Sequence, residues 1–243
     1  MTEPCFIADI GDAGPGSIVE ISGPEGHHAA AVRRIESGET VLVTDGAGSA
    51  VRGPAVEIGK NLVRVQVAER LVAPVKPHRW IAVQALTKGP RADLVVETLT
   101  ELGVDEIIAW QASRSISRWS AEKREKGLAK WRATAREATK QSRRFTVPQV
   151  AFATTADVAA QIRAGDAAFI LHESATDPIR PGDLPASGDV ILIVGPEGGI
   201  SPEELQDFTD AGGRPVLVAD AVLRASTAPV VGLAQLQALA SLA

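Results

Sequence analysis

Two hydrophobic rhythms divide the chain. Up to about residue 72, apolar residues come in short runs broken by turn formers: Ser17 to Ile21, Thr40 to Thr44, Ala55 to Ile58 and Leu62 to Ala68. Val63, Val65 and Val67 alternate with Arg64 and Gln66, the period of two expected of a strand with one buried face. Between the runs lie Gly14-Pro15-Gly16, Asp45-Gly46-Ala47-Gly48 and Gly59-Lys60-Asn61, the residue types that tight hairpins need. One helix, from about His27 to Glu36, interrupts them. The pattern predicts a small β-barrel over residues 1–72, and Pro74 and Pro77 mark a linker.

From Trp80 the rhythm changes. Trp80 to Leu86 predicts a strand, and Arg91 to Leu102 a helix with Val95, Leu99 and Leu102 along one side. Gly103 stands where a left-handed helix cap belongs. Asp105 to Trp110 predicts a second strand. Ser120 is an N-cap for a long helix to about Gln141. On that helix Leu128, Trp131, Ala135 and Ala138 form an apolar stripe, and Arg132, Arg136, Lys140 and Arg143 a basic one roughly a third of a turn away. After Pro148 the pattern gives a helix near 156–164, strands at Ala168 to Leu171 and Val190 to Val194, and a helix from Pro202. A strand at Pro215 to Ala219 and a last helix from about Thr227 follow. Strands alternating with helices predict an α/β domain with a mostly parallel sheet.

Composition narrows the class. With 243 residues, 45% apolar and 23% charged, the chain can build a sizeable core and is not disordered as its main state. No apolar run approaches the ~18–20 residues that span a bilayer, so no membrane partner is expected. Met1-Thr2-Glu3-Pro4-Cys5 lacks the basic and apolar regions of a signal peptide, and the expected compartment is the cytoplasm. A single cysteine, Cys5, excludes an internal disulfide framework and a multi-cysteine zinc site, and no metal is expected. The formal net charge of −5 argues against a nucleic-acid partner, but its distribution reverses that. Arg114 to Arg144 holds eleven Lys and Arg against Glu122, Glu125 and Glu137, a net of +8, which leaves −13 for the rest. Such asymmetry predicts one basic surface on an acidic body.

Three strand ends carry the candidate chemistry. Val190 to Val194 runs directly into Gly195-Pro196-Glu197-Gly198-Gly199-Ile200, and α/β sheets place ligands outside the carboxyl ends of their strands. Ser201-Pro202-Glu203-Glu204 then opens a helix, with Ser201 as N-cap and acids facing the positive end of the dipole, which disfavours a phosphate there. No Gly-x4-Gly-Lys-Ser/Thr exists in the chain, so there is no P-loop. Gly23-Pro24-Glu25-Gly26 repeats the tetrapeptide without an apolar strand before it and is expected to be an ordinary loop. The second strand end is Val218-Ala219-Asp220-Ala221-Val222-Leu223-Arg224-Ala225-Ser226-Thr227-Ala228, a small-residue loop with a Ser/Thr cap before the last helix. The third is Ile170-Leu171-His172-Glu173-Ser174, with His172 as a pocket residue.

Taken together these residues resemble the SPOUT superfamily of RNA methyltransferases, and within it the ribosomal small-subunit RNA methyltransferase E family. Gly195 to Ile200 and Val222-Leu223-Arg224-Ala225-Ser226-Thr227-Ala228 carry the resemblance. So do Lys88, Arg91, Glu101-Leu102-Gly103-Val104, Arg114, Gln141-Ser142-Arg143-Arg144 and Pro148. His28 to Arg34, Gly38 and Asp45-Gly46 are similar to that family's PUA-like RNA-binding barrel. Ala219, Ala221 and Ser226 depart from the family, which commonly has Gly, Arg and Glu there; losing the Glu argues against a carboxylate mechanism at 226.

The resemblance implies a PUA-like barrel at 1–72 and a SPOUT trefoil-knot domain at 76–243, working as a homodimer on 16S rRNA of the small ribosomal subunit. The implied reaction is transfer of a methyl group from S-adenosyl-L-methionine to N3 of a uridine. Three loops would grip the cofactor: Leu171, His172 and Glu173; Gly195, Pro196, Glu197, Gly198, Gly199 and Ile200; and Val218, Ala219, Leu223, Arg224, Ser226, Thr227 and Ala228. Arg114 is the first candidate for stabilising a uridine anion, with Arg144 and Glu197 behind it. Arg34, Lys88, Arg91, Arg132, Arg136, Arg143 and Arg144 would bind RNA phosphates. Another SPOUT methylation (2′-O-ribose or guanine-N1) and a non-catalytic RNA-binding or ribosome-assembly protein remain open at this stage.

Overall fold

A computed structural model describes residues 3–87 and 89–242. The chain divides into two compact units, Met1–Val75 with Arg136–Val147, and Lys76–Ala135 with Pro148–Ala243. Residues 136–147, placed by the sequence pattern in the C-terminal domain, thus group with the N-terminal unit.

The first unit contains β1 (Cys5–Ile7), β2 (Ile18–Ser22), a short helix α1 (Gly23–His27), β3 (Thr40–Thr44), β4 (Ser49–Gly59), β5 (Leu62–Gln66) and β6 (Glu69–Val72). Strand order is β1-β3-β4-β5-β2, with β6 also on β4, so β1 and β2 are edges of a sheet that curls about its core with no ladder closing it among the described residues. The curl comes from β4. Its first half pairs with β6 and its second half with β5, and the register slips between Ala55 and Glu57. A bulge of this kind bends the strand and raises its twist. Gly53 sits at the bend, where a Cβ would overlap the carbonyl oxygen of Gln66. Val19, Ile21, Val41, Val43, Val63 and Val65 point inward around Phe6, each at most 4% exposed.

Gly23-Pro24-Glu25-Gly26 is not a loop. It forms α1, which continues into a π-helical turn, His28–Val32. Pro24 lies in the first turn, where its fixed φ suits a helix start, and Gly26 lets the turn lie against the carbonyls of Ile21 and Asn61. The helix predicted over His27 to Glu36 stops early, as Arg34 takes a left-handed φ of 55°. Glu25 accepts from the backbone N–H of Ile7 at 3.3 Å and pairs with Lys140 at 3.1 Å. Lys140 also pairs with Glu137 at 2.8 Å, and its side chain is 5% exposed. It is therefore an internal ion pair and not part of an open basic stripe.

The second unit is a six-stranded, wholly parallel sheet. In chain order it holds β7 (His78–Ala85), α2 (Pro90–Glu101), β8 (Glu106–Trp110), α3 (Ala121–Gln141) as far as Ala135, β9 (Gln149–Ala153), α4 (Thr155–Ala164), β10 (Ala167–Leu171), β11 (Gly188–Val194), α5 (Pro202–Asp210), β12 (Arg214–Val216) and α6 (Ala228–Ala240). The order is β12-β10-β11-β7-β8-β9. Alternate residues of the central strands feed opposite cores. Trp80, Ala82, Val190, Leu192 and Val194 meet Val95, Leu99, Trp131 and Leu236 on one face. Ile81, Val83, Ile191 and Ile193 meet Val158, Ile162 and Phe208 on the other. Helices on both faces explain why β11 reads as a continuous apolar run.

Predicted boundaries mostly hold within a few residues, and Gly103 caps α2 at φ 87°. Ser120 accepts weakly from the N–H of Lys123 at 3.4 Å. Three differences are informative. The strand predicted at Pro215 to Ala219 ends at Val216, because the Leu217 N–H turns away to the carbonyl of Asp177 at 2.9 Å. Thr227 precedes α6 without a side-chain cap; the Arg224 carbonyl instead takes the N–H groups of Thr227 and Ala228. Strand β9 was not foreseen, since Gln149-Val150-Ala151-Phe152-Ala153 offers only two strong strand formers.

Gly53→Ala is expected to destabilise the first unit by about 2 kcal/mol or more, the cost of forcing a methyl into a closed contact. Thermal unfolding followed by far-ultraviolet circular dichroism checks this, with Gly14→Ala, where nothing lies within 4 Å of the added Cβ, as the silent control.

Candidate active site

The carboxyl ends of β10, β11 and β12 open into one cavity of about 310 Å³, lined wholly by the second unit. Three loops converge there because parallel neighbours end on the same side of a sheet. β11 pairs with β10 from Ala167↔Val190 to Leu171↔Val194, so Leu171 and Val194 finish level, and β12 brings Val216 alongside Leu171. Their continuations, residues 171–173, 195–200 and 217–228, form the walls.

Of the residues singled out in the sequence, Leu171, His172, Glu173, Gly195, Pro196, Glu197, Gly199, Ile200, Val218, Ala219, Leu223, Arg224, Ser226 and Ala228 line this cavity. Gly198 and Thr227 do not, although the Gly198 carbonyl accepts from Arg114 Nη1 at 3.4 Å. Arg91, expected on RNA, also lies on the cavity wall. Lys88 lies outside the described residues. Arg34, Arg136, Arg143 and Arg144 belong to the first unit. Arg143 adopts φ 53°, ending α3 as a glycine usually would, and the N–H of Arg144 bonds back to the Thr139 carbonyl at 3.0 Å. Arg132 and Arg136 are exposed but each donates to a backbone carbonyl, of Val150 at 3.2 Å and Ile7 at 3.0 Å.

Sequence reading missed Thr87. It follows β7, lines the cavity, is 6% exposed, and its hydroxyl has no hydrogen-bond partner among the described residues. A buried hydroxyl without a partner costs free energy unless a ligand satisfies it. No pattern in the sequence marks it; only the convergence of β7 with the three loops does.

The cavity wall is mixed in character. Leu171, Val194, Ile200, Val216, Val218 and Leu223 supply apolar surface, while Glu173 and Glu197 face the same space as Arg91 and Arg224. His172 adds an imidazole: its Nδ1 accepts from the Ser174 backbone N–H at 3.2 Å, with the Ser174 hydroxyl 2.8 Å away. Such a site suits a ligand with an apolar body and charges of both signs. S-adenosylmethionine fits this description, with its purine, sulfonium, ammonium and carboxylate, and the orphaned Thr87 hydroxyl gives it a further polar partner.

A buried carboxylate ties the site together. Glu204, 5% exposed, forms a capping box with Ser201 at the start of α5. Its two oxygens also accept from the Ser113 N–H at 2.7 Å, the Ser113 hydroxyl at 2.8 Å and the Thr155 hydroxyl at 3.0 Å. The Ser-x-x-Glu spacing at 201–204 signals the box, but nothing in the sequence points to Ser113 or Thr155.

Comparison with known proteins agrees with this geometry. A family model for an RNA methyltransferase domain matches residues 74–237, and one for an RNA methyltransferase PUA domain matches residues 21–68. The chain is 40% identical to ribosomal RNA small subunit methyltransferase E of Mycobacterium bovis over 232 residues, covering 93% of this chain and 88% of that one. A Legionella pneumophila protein solved with S-adenosylmethionine superposes with a TM-score of 0.84 at 28% identity, over 98% of each chain. Ribosomal RNA small subunit methyltransferase E of Neisseria gonorrhoeae, also solved with S-adenosyl methionine, gives 0.83 at 25% identity, again over 98% of each.

Proposed function

We propose, since this chain belongs to the ribosomal RNA small subunit methyltransferase E family, that it methylates N3 of a uridine in 16S rRNA using S-adenosylmethionine. The observation that carries the reading is the cavity itself: three strand-end loops, a glycine turn and charges of both signs around an apolar floor. Loops 171–173, 195–200 and 217–228, with Thr87, would hold the cofactor. Bound there, it supplies an activated methyl group on its sulfonium.

The work left to the chain is orientation and charge control. The uridine N3 must lose its proton before it can attack, and the anion spreads onto O2 and O4. We assign the stabilisation of that charge to Arg114, exposed and beside Gly198, since a guanidinium stays protonated and offers several donors. Glu197 and Arg144 are the weaker candidates. Cys5 plays no part. Burial first, then the charge of Glu25, pushes its thiol up to about 12, so it holds its proton at neutral pH and is no nucleophile.

RNA is the partner, and we read Arg34, Lys88, Arg132, Arg136 and Arg143 as its phosphate contacts. Arg91 serves the cavity or the RNA edge beside it. A homodimer and a trefoil knot within 76–243 belong to the same reading. Val222, 81% exposed on the cavity rim, and Ile116, 68% exposed two residues beyond Arg114, support the dimer by offering apolar surface to a second copy. No helix among the described residues is long and apolar enough to cross a membrane, and a cytoplasmic location fits a ribosomal substrate.

Incubation with labelled S-adenosylmethionine and small subunits lacking modification, followed by nucleoside mass spectrometry, is expected to yield labelled N3-methyluridine. A 2′-O-methylated nucleoside or 1-methylguanosine would replace that substrate, and no cofactor binding at all would favour a non-catalytic RNA-binding protein. Thr87→Val, equal in shape, is expected to leave the melting temperature of the free protein unchanged or higher, because it removes an unpaired buried hydroxyl. The same variant should weaken cofactor binding about fivefold in calorimetry, the worth of one neutral hydrogen bond near 1 kcal/mol. Neutralising Arg132 and Arg136 together is expected to weaken RNA binding and lower the slope of log affinity against log salt by about 1–2, since each lost phosphate contact releases fewer counterions.

A further inference from the structure

We propose that Glu204 is a positioning residue for methyl transfer: it holds Arg114 in register with the glycine loop at 195–200. The proposal rests on the reading of Arg114 as the cation that faces the uridine anion.

The argument starts from what Glu204 is bonded to. All four of its partners are uncharged donors: two backbone N–H groups and two hydroxyls, from three separate segments. Only 5% exposed, this carboxylate is satisfied entirely by dipoles, so its place is fixed by geometry and not by a counter-ion. The Ser113 N–H contact at 2.7 Å is at the short end for such a bond.

Two of those partners flank the site. Ser113 is the residue before Arg114, and it is held by both its N–H and its hydroxyl. Ser201 is the residue after Ile200, where the glycine loop ends, and its N–H bonds Glu204 at 3.2 Å. One side chain thereby fixes the entry to Arg114 and the exit of the loop to a common point. The two backbones touch beyond it. A Cβ on Gly198 would lie 3.2 Å from the Arg114 carbonyl oxygen and 3.3 Å from its Cβ, so the loop abuts Arg114 along its main chain. Arg118 holds the Ser113 carbonyl from the other side at 2.6 Å. Thr155 fastens the whole to the start of α4.

Glu204→Gln tests this. The amide keeps the shape but puts an NH₂ where two donors now converge, so at least one of the two N–H groups or hydroxyls loses its acceptor. A displacement of order 1 Å at a catalytic group costs up to ~10²-fold in rate, and a drop of about tenfold in kcat is expected here, with the KM for S-adenosylmethionine changed less than about twofold. Methyl transfer to unmodified small subunits is measured for wild type, Glu204→Gln, Arg114→Ala and the double variant. Support requires that Glu204→Gln lowers kcat in the wild type but less than about twofold once Arg114 is gone, the signature of two residues acting as one unit. Equal losses in both backgrounds, or a loss that falls on cofactor KM in place of kcat, overturn the proposal and leave Glu204 as support for the fold. Normal turnover by Arg114→Ala removes the reading of Arg114 itself, and the proposal with it. Should Glu204→Gln fail to fold, Ser113→Ala deletes only the hydroxyl contact; it is expected to lower kcat about threefold with the same dependence on Arg114, and full activity there is the contrary result.

Discussion

The second unit depends on burying β11 on both faces. Val190 to Val194 are at most 3% exposed, and their side chains serve two cores at once. A strand in that position has its backbone paired on both edges, to β7 and β10, and no water reaches it. It can end only where its chain leaves the sheet, and it leaves through Gly195. The site lies where it does because β11, its neighbour β10 and the edge strand β12 are released at the same level.

Release creates unpaired backbone and loose chain, and the structure contains both with a few specific interactions. β12 gives up its ladder after Val216 but recovers a bond from Leu217 to Asp177. The loop after β11 recovers its order from the Ser201–Glu204 box at its far end. The loop after β8 has no box of its own and borrows the same carboxylate through Ser113. Because Glu204 serves both loops, the arginine and the glycine turn are not independent parts. The usual cost of a buried carboxylate is offset by four donors, and the return is a rigid rim around a cavity that must itself stay open.

Much of this was written in local sequence. Val190 to Val194 announced a strand, Gly103 a left-handed cap, and the Val63-Val65-Val67 alternation a one-sided strand, since each depends only on near neighbours. The failures share the opposite cause. Glu25 folds α1 around a partner 115 residues away in Lys140, so Gly23 to Gly26 read as a loop and Lys140 as a surface cation. Arg114 meets Gly198 across 84 positions and Ser113 meets Glu204 across 91. A periodicity cannot carry such information. The order of the family motifs could, and it named most of the cavity wall, but not Thr87, whose meaning comes from what surrounds it.

Thr87 and Glu204 show two ways a fold can treat a buried polar group. Glu204 is saturated, and its energy goes into holding chain segments together. Thr87 has no partner among the described residues and lies on the wall of the cavity, where a ligand could provide one. A protein selected for stability alone would replace that hydroxyl by a methyl, which has nearly the same shape and no desolvation cost. Keeping it is the better arrangement only if the bound state satisfies it. The saturated carboxylate and the unpaired hydroxyl thus follow one rule: a buried polar group is kept where its hydrogen bonds are made, by the chain itself for Glu204 and, in the proposed function, by the ligand for Thr87.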